Sequence, residues 1–169
     1  MKLIRYSNPT ALFAFTAMLA TVTVIQAGDV PQVPYPQDFR SWQHVKSIVI
    51  EPEHPSFALR GGIHHYYAND RAMKGYRSGT FPNGSMIVDE GVFTKAGEGQ
   101  GKGITLEGER RTLDVMIKND RLYADTGGWG FDHFDRDSRA GTHDASRLAK
   151  CAACHATAQR DHVFSSVRP

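Results

Sequence analysis

Residues 83–93, Asn83-Gly84-Ser85-Met86-Ile87-Val88-Asp89-Glu90-Gly91-Val92-Phe93, decide the fold class. Asn-Gly supplies the positive φ values that a tight turn needs, and an apolar, β-prone run follows it. The pattern predicts a hairpin turn leading into a strand from Ser85 to Phe93, with Met86, Val88 and Val92 on one face. Toward the C-terminus, Ala96 to Gly103 carries four glycines among polar residues and predicts a mobile loop. This loop is no phosphate cradle, since Gly101-Lys102 is followed by Gly103 and a strand-like segment rather than by Ser or Thr opening a helix.

Beyond the loop, Leu113, Val115 and Ile117 alternate with Asp114, Met116 and Lys118, the period of a half-buried strand. Asn119-Asp120 then turns the chain, and Leu122, Tyr123 and Trp129 to Phe134 predict further β structure bent at Gly127-Gly128. On the N-terminal side, Ile63 to Ala68 reads as a strand, and Asn69 caps a helix through Tyr76 that Gly79 helps to end. Phe39 to Ile50 opens the packed domain, with Ile48 and Ile50 on one face and Val49 on the other; Glu51 to Pro55 is a turn. Near the C-terminus, Thr142 or Asp144 could cap a helix whose apolar stripe is Ala145, Leu148, Ala149 and Ala152. The expected fold is α+β and β-rich: a small antiparallel sheet, a few short helices, and a C-terminal helix that runs into the two cysteines.

A chain of 169 residues with 40% hydrophobic and 22% charged residues is that of an ordinary folded domain. Its first 27 residues differ, with Lys2 and Arg5 ahead of an uncharged apolar run, Ala11 to Ile25, and the small Ala27 at the expected cut. This is the order of a secretory signal peptide; the run of about 15 residues falls short of the ~20 needed to span a bilayer. Removing Lys2 and Arg5 leaves 18 basic against 18 acidic residues, so no basic footprint points to nucleic acid. Residues 28–38 contain Pro31, Pro34 and Pro36 and should form an extended arm. Residues 39–169 form the domain proper. The mature form should carry no membrane span.

The only two cysteines lie three apart in Cys151-Ala152-Ala153-Cys154-His155. Two thiols one helical turn apart can take the two vinyl groups of a haem as thioethers, with the next imidazole in reach of the iron. Export agrees with this, because c-type haem is attached outside the cytoplasm. Other chemistries use similar spacing. A thioredoxin-like redox pair belongs at a helix start in a βαβ unit, and nothing here alternates in that way. A zinc or copper site would need a partner motif that is not visible. A disulfide across so short a loop would stabilise little.

Only 14 residues follow His155 and none is methionine, so a sixth iron ligand would have to come from upstream. Candidates are His64, His65, Met73, Met86 and Met116, each a residue type more often found in a core or on a surface. An open distal position is the expectation. Phe81, Phe93, Trp129, Phe131 and Phe134 could wall a haem pocket or form ordinary sheet core. The acidic run at Asp132, Asp135 and Asp137 lacks a calcium-loop pattern and is expected to face water.

Taken in order, Phe39-Arg40-x-Trp42, the Ile63 to Asn69 segment, Gly79-x-Phe81-x-Asn83-Gly84, Gly128-Trp129-x-Phe131, the haem motif and Asp161-x-Val163-Phe164 resemble the cytochrome P-460 family. The resemblance implies a β-rich, periplasmic, dimeric protein with one covalent haem c, held by Cys151 and Cys154 and ligated by His155. It implies either oxidation of hydroxylamine or, as in the related cytochromes c′-beta, binding of nitric oxide at a five-coordinate iron. The lysine that bonds to the porphyrin rim in that family aligns with Asp89, which cannot form an amine link, and its pocket arginine aligns with His64 or its neighbour His65. Lys95 lies on the same strand face as Asp89 if the strand runs so far. Asp89 and His64 are therefore the candidate distal or catalytic residues. One reading is a binding protein for a small diatomic or nitrogen-containing ligand. A second is an enzyme in which Asp89 or Glu90 acts as general base and His64 as proton donor, oxidising a small nitrogen compound or reducing peroxide. A third is a simple electron carrier serving a redox partner cytochrome.

Overall fold

Five strands pair strictly with their sequence neighbours in one antiparallel sheet: β1 (Gln43–Ile50), β2 (Gly62–Ala68), β3 (Met86–Ala96), β4 (Thr105–Lys118) and β5 (Trp129–Asp135). This is a computed structural model, and it describes residues 31–142 and 144–167. The expected leader over residues 1–27 and the first three residues of the arm lie outside the described residues. Three helices interrupt the meander: α1 (Phe57–Arg60) between β1 and β2, α2 (Asp70–Ser78) between β2 and β3, and α3 (Ala145–His155) after β5. Among the described residues, no helix is long and apolar enough to cross a membrane.

The ends of α2 follow local chemistry. Asn69 Oδ1 accepts from the Ala72 amide at 2.9 Å, and Gly79 closes the helix at φ 87°, a left-handed value that costs glycine nothing. The Asn83-Gly84 turn forms, but not as a hairpin. Gly84 alone has positive φ, Ser85 N–H closes the turn on the Pro82 carbonyl, and a helix rather than a strand precedes it. An Asn-Gly pair signals a hairpin only when strands flank both sides. Here Phe81 instead drops into the core between Tyr76 and Trp129, with ring centroids 5.1 and 5.6 Å away. The real hairpin lies at the glycine-rich loop, where Gly97 N–H meets the Ile104 carbonyl and a 3₁₀ turn at Gly99–Gly101 joins β3 to β4.

Alternation in β4 does not mean one wet face. Leu113 and Val115 are buried on one side and Met116 on the other, because both faces of the sheet are covered. The Pro-rich arm and the turn after it cover one face: Val33 and Tyr35 of the arm, with Phe39 and Trp42 beyond it, pack on Val88, Leu113, Val115 and Phe134, so the arm is extended but laid down on the domain. The predicted β structure at Leu122 and Tyr123 is a turn. The Tyr123 ring is buried, and its hydroxyl reaches the carbonyls of Pro31 and Gln32 on that arm. On the opposite face, α2, α3 and the C-terminal tail cover Ala68, Ile87, Met116 and Phe131. Asp132, expected in water, is buried; its carboxylate accepts from the His133 amide, and Gly141 passes too close for any side chain there. Asp135 and Asp137 are exposed as expected.

Candidate functional site

Strand register stacks the second face of the sheet in rows. Ala68, Ile87, Met116 and Phe131 are mutual neighbours across β2 to β5 and make an apolar row. The adjacent row is polar from edge to edge: Lys46, Tyr66, Asp89, Asp114 and His133 pair in turn from β1 to β5. Beyond it lie Ile48, His64, Gly91, Thr112 and Asp135. These rows floor a cavity of about 1070 Å³, lined also by Cys151, His155, Phe164 and Arg60. That volume is at the upper end of the range for small-molecule and cofactor sites, roughly 300–1,000 Å³.

Helix α3 supplies the wall that carries the cysteines. Asp144 caps it, its carboxylate accepting from the Arg147 amide at 2.7 Å, and its buried stripe is Leu148, Cys151 and Ala152. Ala145 and Ala149 of the predicted stripe are exposed instead; the inward positions run 148, 151, 152 and 155, the three-four spacing of one helix face. Cys151 and His155 line the cavity and Cys154 is exposed. Burial pushes the Cys151 thiol up. The His155 ring packs on Phe131 and Phe164 at 4.8 and 5.2 Å. Its Nδ1 lies 2.7 Å from the His162 carbonyl, which can only accept, so Nδ1 carries the proton and Nε2 holds the lone pair. Burial, with the carbonyl opposing it, holds the imidazole below its ordinary pKa and so neutral. A neutral imidazole with a fixed tautomer, adjacent to a thiol on the same cavity wall and a second thiol on the same helix, fits a covalently tethered haem by the chemistry of its donors.

Opposite in character is the cluster around Asp89. His64 is 1% exposed and does not line the cavity; it lies against Asp89, its Nδ1 2.7 Å from Oδ1, while its Nε2 is 2.7 Å from the Arg60 carbonyl. Both partners accept, so both ring nitrogens donate and His64 is an imidazolium. Burial works against that charge, but the Asp89 hydrogen bond and charge outweigh it and raise the pKa. Gly91 makes room: a Cβ there would come within 3.1 Å of the His64 ring. The Arg60 guanidinium pairs with the other Asp89 oxygen and reaches Asp114 at 3.6 Å, while its Nε is buried without a partner in the protein. Burial also drives the Tyr66 phenol pKa up, so that group stays neutral. His133 bridges Asp114 and Asp135 at 2.7 and 3.0 Å, and the Asp114 hydrogen bond raises its pKa despite burial.

Asp89 and His64 are thus brought together at the cavity, whereas other expected partners are not. Glu90 points to the other face and pairs with Arg40. His65 also leaves the cavity, meeting Ser47 and Glu107. Of the five candidate sixth ligands only Met116 lines the cavity, in the row of Phe131 that packs on His155. The strand does reach Lys95, but Lys95 is exposed and outside the lining. Phe93 and Phe131 wall the cavity; Phe81 and Trp129 belong to the core beside it, and Phe134 lies under the arm. Arg60, Tyr66, Asp114 and His133 were missed. Their signal was an acid at Asp89 and another at Asp114 inside strands otherwise apolar, which reads as a solvent face until both faces are known to be covered.

A five-stranded meander with a C-terminal Cys-x-x-Cys-His helix against a large cavity defines a β-rich haem protein. The chain belongs to the cytochrome P460 family, whose model matches residues 36–165 and so takes in the sheet, α3 and the tail through Phe164. No curated protein matches it in sequence.

Proposed function

We propose that this chain is an exported monohaem protein whose haem c is tethered through Cys151 and Cys154, with His155 as axial ligand and the opposite iron face open to a small ligand such as nitric oxide. One observation carries the reading: Cys151 and His155 share a wall of the large cavity, and the His162 carbonyl occupies Nδ1 so that Nε2 is the ring nitrogen left to bind metal. Haem, when bound, supplies an iron that can take a diatomic ligand or change oxidation state. The protein supplies the rest. Phe131 and Phe164 pack on the His155 ring, and Met116, in the apolar row of Phe131, is the sole upstream candidate facing the cavity. Arg60, held by Asp89 and Asp114, brings hydrogen-bond donors to the cavity for an oxygen- or nitrogen-bearing ligand.

The test is an absorption spectrum of protein made with c-type maturation machinery, oxidised and reduced, with and without nitric oxide. A high-spin ferric spectrum that changes on adding nitric oxide is expected; a low-spin spectrum that ignores it would overturn the open site. Colourless protein with both thiols still reactive would overturn the tether.

A catalytic reading is favoured by the doubly protonated His64 beneath Asp89, which stores a proton one hydrogen bond from the cavity. In that reading Asp89 passes the proton on, and hydroxylamine or peroxide is the substrate to assay. Turnover no faster than that of free haem would eliminate it.

A further inference from the structure

The tail that reaches His155 is held in an unfavourable conformation. Asp161 and His162 both have left-handed backbones, with φ 44° and 66°. Each costs a residue other than glycine roughly 1–2 kcal/mol, and such values persist only where the surroundings enforce them. Lys118, at the end of β4 and only 8% exposed in its side chain, donates to Asp161 Oδ1 at 3.0 Å and to the Gly127 carbonyl at 3.0 Å. Asp161 also accepts from the Phe81 amide at 2.8 Å and from Trp129 Nε1 at 3.3 Å. The next residue, His162, lays its ring on Gly127 so closely that a Cβ there would fall 2.5 Å from it. It is the His162 carbonyl that receives His155 Nδ1–H.

We propose that the buried Lys118–Asp161 pair is a positioning device: it fixes the backbone of residues 161 and 162 so that the His162 carbonyl sets the tautomer and orientation of His155. The inference rests on His155 being the axial haem ligand. Lys118 and Asp161 do not line the cavity; they act on His155 through a main-chain carbonyl. Donation from Nδ1 gives the imidazole anionic character, which favours ferric over ferrous iron. Loosening the carbonyl should therefore raise the reduction potential.

The experiment compares fully matured wild type with Lys118→Met, Lys118→Arg, Asp161→Asn and Asp120→Asn, reading covalent haem content and reduction potential. Asp161→Asn keeps the shape and the tolerance for left-handed φ but loses the charge and one acceptor, so it decides the matter even if Lys118→Met fails to fold. Lys118→Met and Asp161→Asn should retain haem and shift the ferric–ferrous equilibrium about tenfold toward ferrous, about 59 mV for one electron. Lys118→Arg, which keeps the cation, should hold the potential close to that of the wild type. Asp120→Asn, which meets Lys118 at 3.3 Å but not the tail, should leave the potential alone. Wild-type potentials in Asp161→Asn, or an equal shift in Asp120→Asn, would overturn the inference while the ligand assignment stood. A wild type without covalent haem would instead overturn the tethered haem on which the inference rests.

Discussion

The two faces of the sheet are built from the same strands and are opposite in character. The face under the N-terminal arm is closed mainly by apolar packing of Val33, Tyr35 and Phe39 on Val88, Leu113, Val115 and Phe134, with the Glu90–Arg40 ion pair on the same side. The face under α3 and the tail carries a polar row, Lys46 to His133, across all five strands and borders a cavity of about 1070 Å³. Burying charges in place of apolar side chains does little for stability on its own, since desolvation offsets the pairing. A chain able to close one face with its own arm leaves the other open where a cofactor can complete the core. Stability is concentrated on the first face and chemistry on the second.

Truncating one apolar residue on each face tests that division. Leu113→Ala, on the closed face and fully buried, should cost about 2–5 kcal/mol, and denaturant unfolding of the haem-free chain would read it. Ile87→Ala removes a side chain that already borders the cavity, so it should sit near the bottom of that range, about 2 kcal/mol. Equal losses would mean that the faces share the load. Asp89→Asn comes next: it leaves the His64 imidazolium and Arg60 with an amide for a partner, at a cost of about 1–3 kcal/mol. The same variant should alter nitric oxide affinity, whereas Leu113→Ala should not.

Legibility in the sequence follows the same line. Elements defined by local chemistry were readable: the Asn69 cap and Gly79 stop of α2, the bend at Gly127-Gly128, and α3 leading into Cys151, Cys154 and His155. The site was readable where one segment held its parts, and its pairing of His64 with Asp89 came through family resemblance. Arg60, Tyr66, Asp114 and His133 come from four separate segments: strand register sets Tyr66, Asp114 and His133 in one row with Asp89, and Arg60 reaches that row from the end of α1. Asp114 shows the obstacle. In a clean alternation with Leu113 and Val115 it reads as a solvated residue, because one strand's period says which residues share a face but not what covers that face.

Smaller than these is the effect of the α3 cap. Asp144→Ala should cost about 1 kcal/mol and fray the helix start, while leaving the His155 contact with the tail intact. Loss of helix signal without loss of covalent haem content would confirm that the cysteines are held mainly from the far end of α3.

The smallest effect is the pH dependence of the polar row, and its sign identifies the two histidines of that row whose pKa values are raised. His64 and His133 both have folded pKa values raised above the ordinary ~6.5, by the hydrogen bond and charge of Asp89 in one case and Asp114 in the other, against burial. A raised folded pKa means that the folded state binds the proton more tightly. The stability each contributes is complete below the unfolded pKa of about 6.5 and disappears as pH climbs through the raised folded value. Melting temperature should therefore fall as pH is taken from 6 toward 9. His64→Gln and His133→Gln should each flatten part of that slope, and Leu113→Ala should lower the whole curve without changing its slope. A slope that survives in the double histidine variant would show that the polar row is not what titrates.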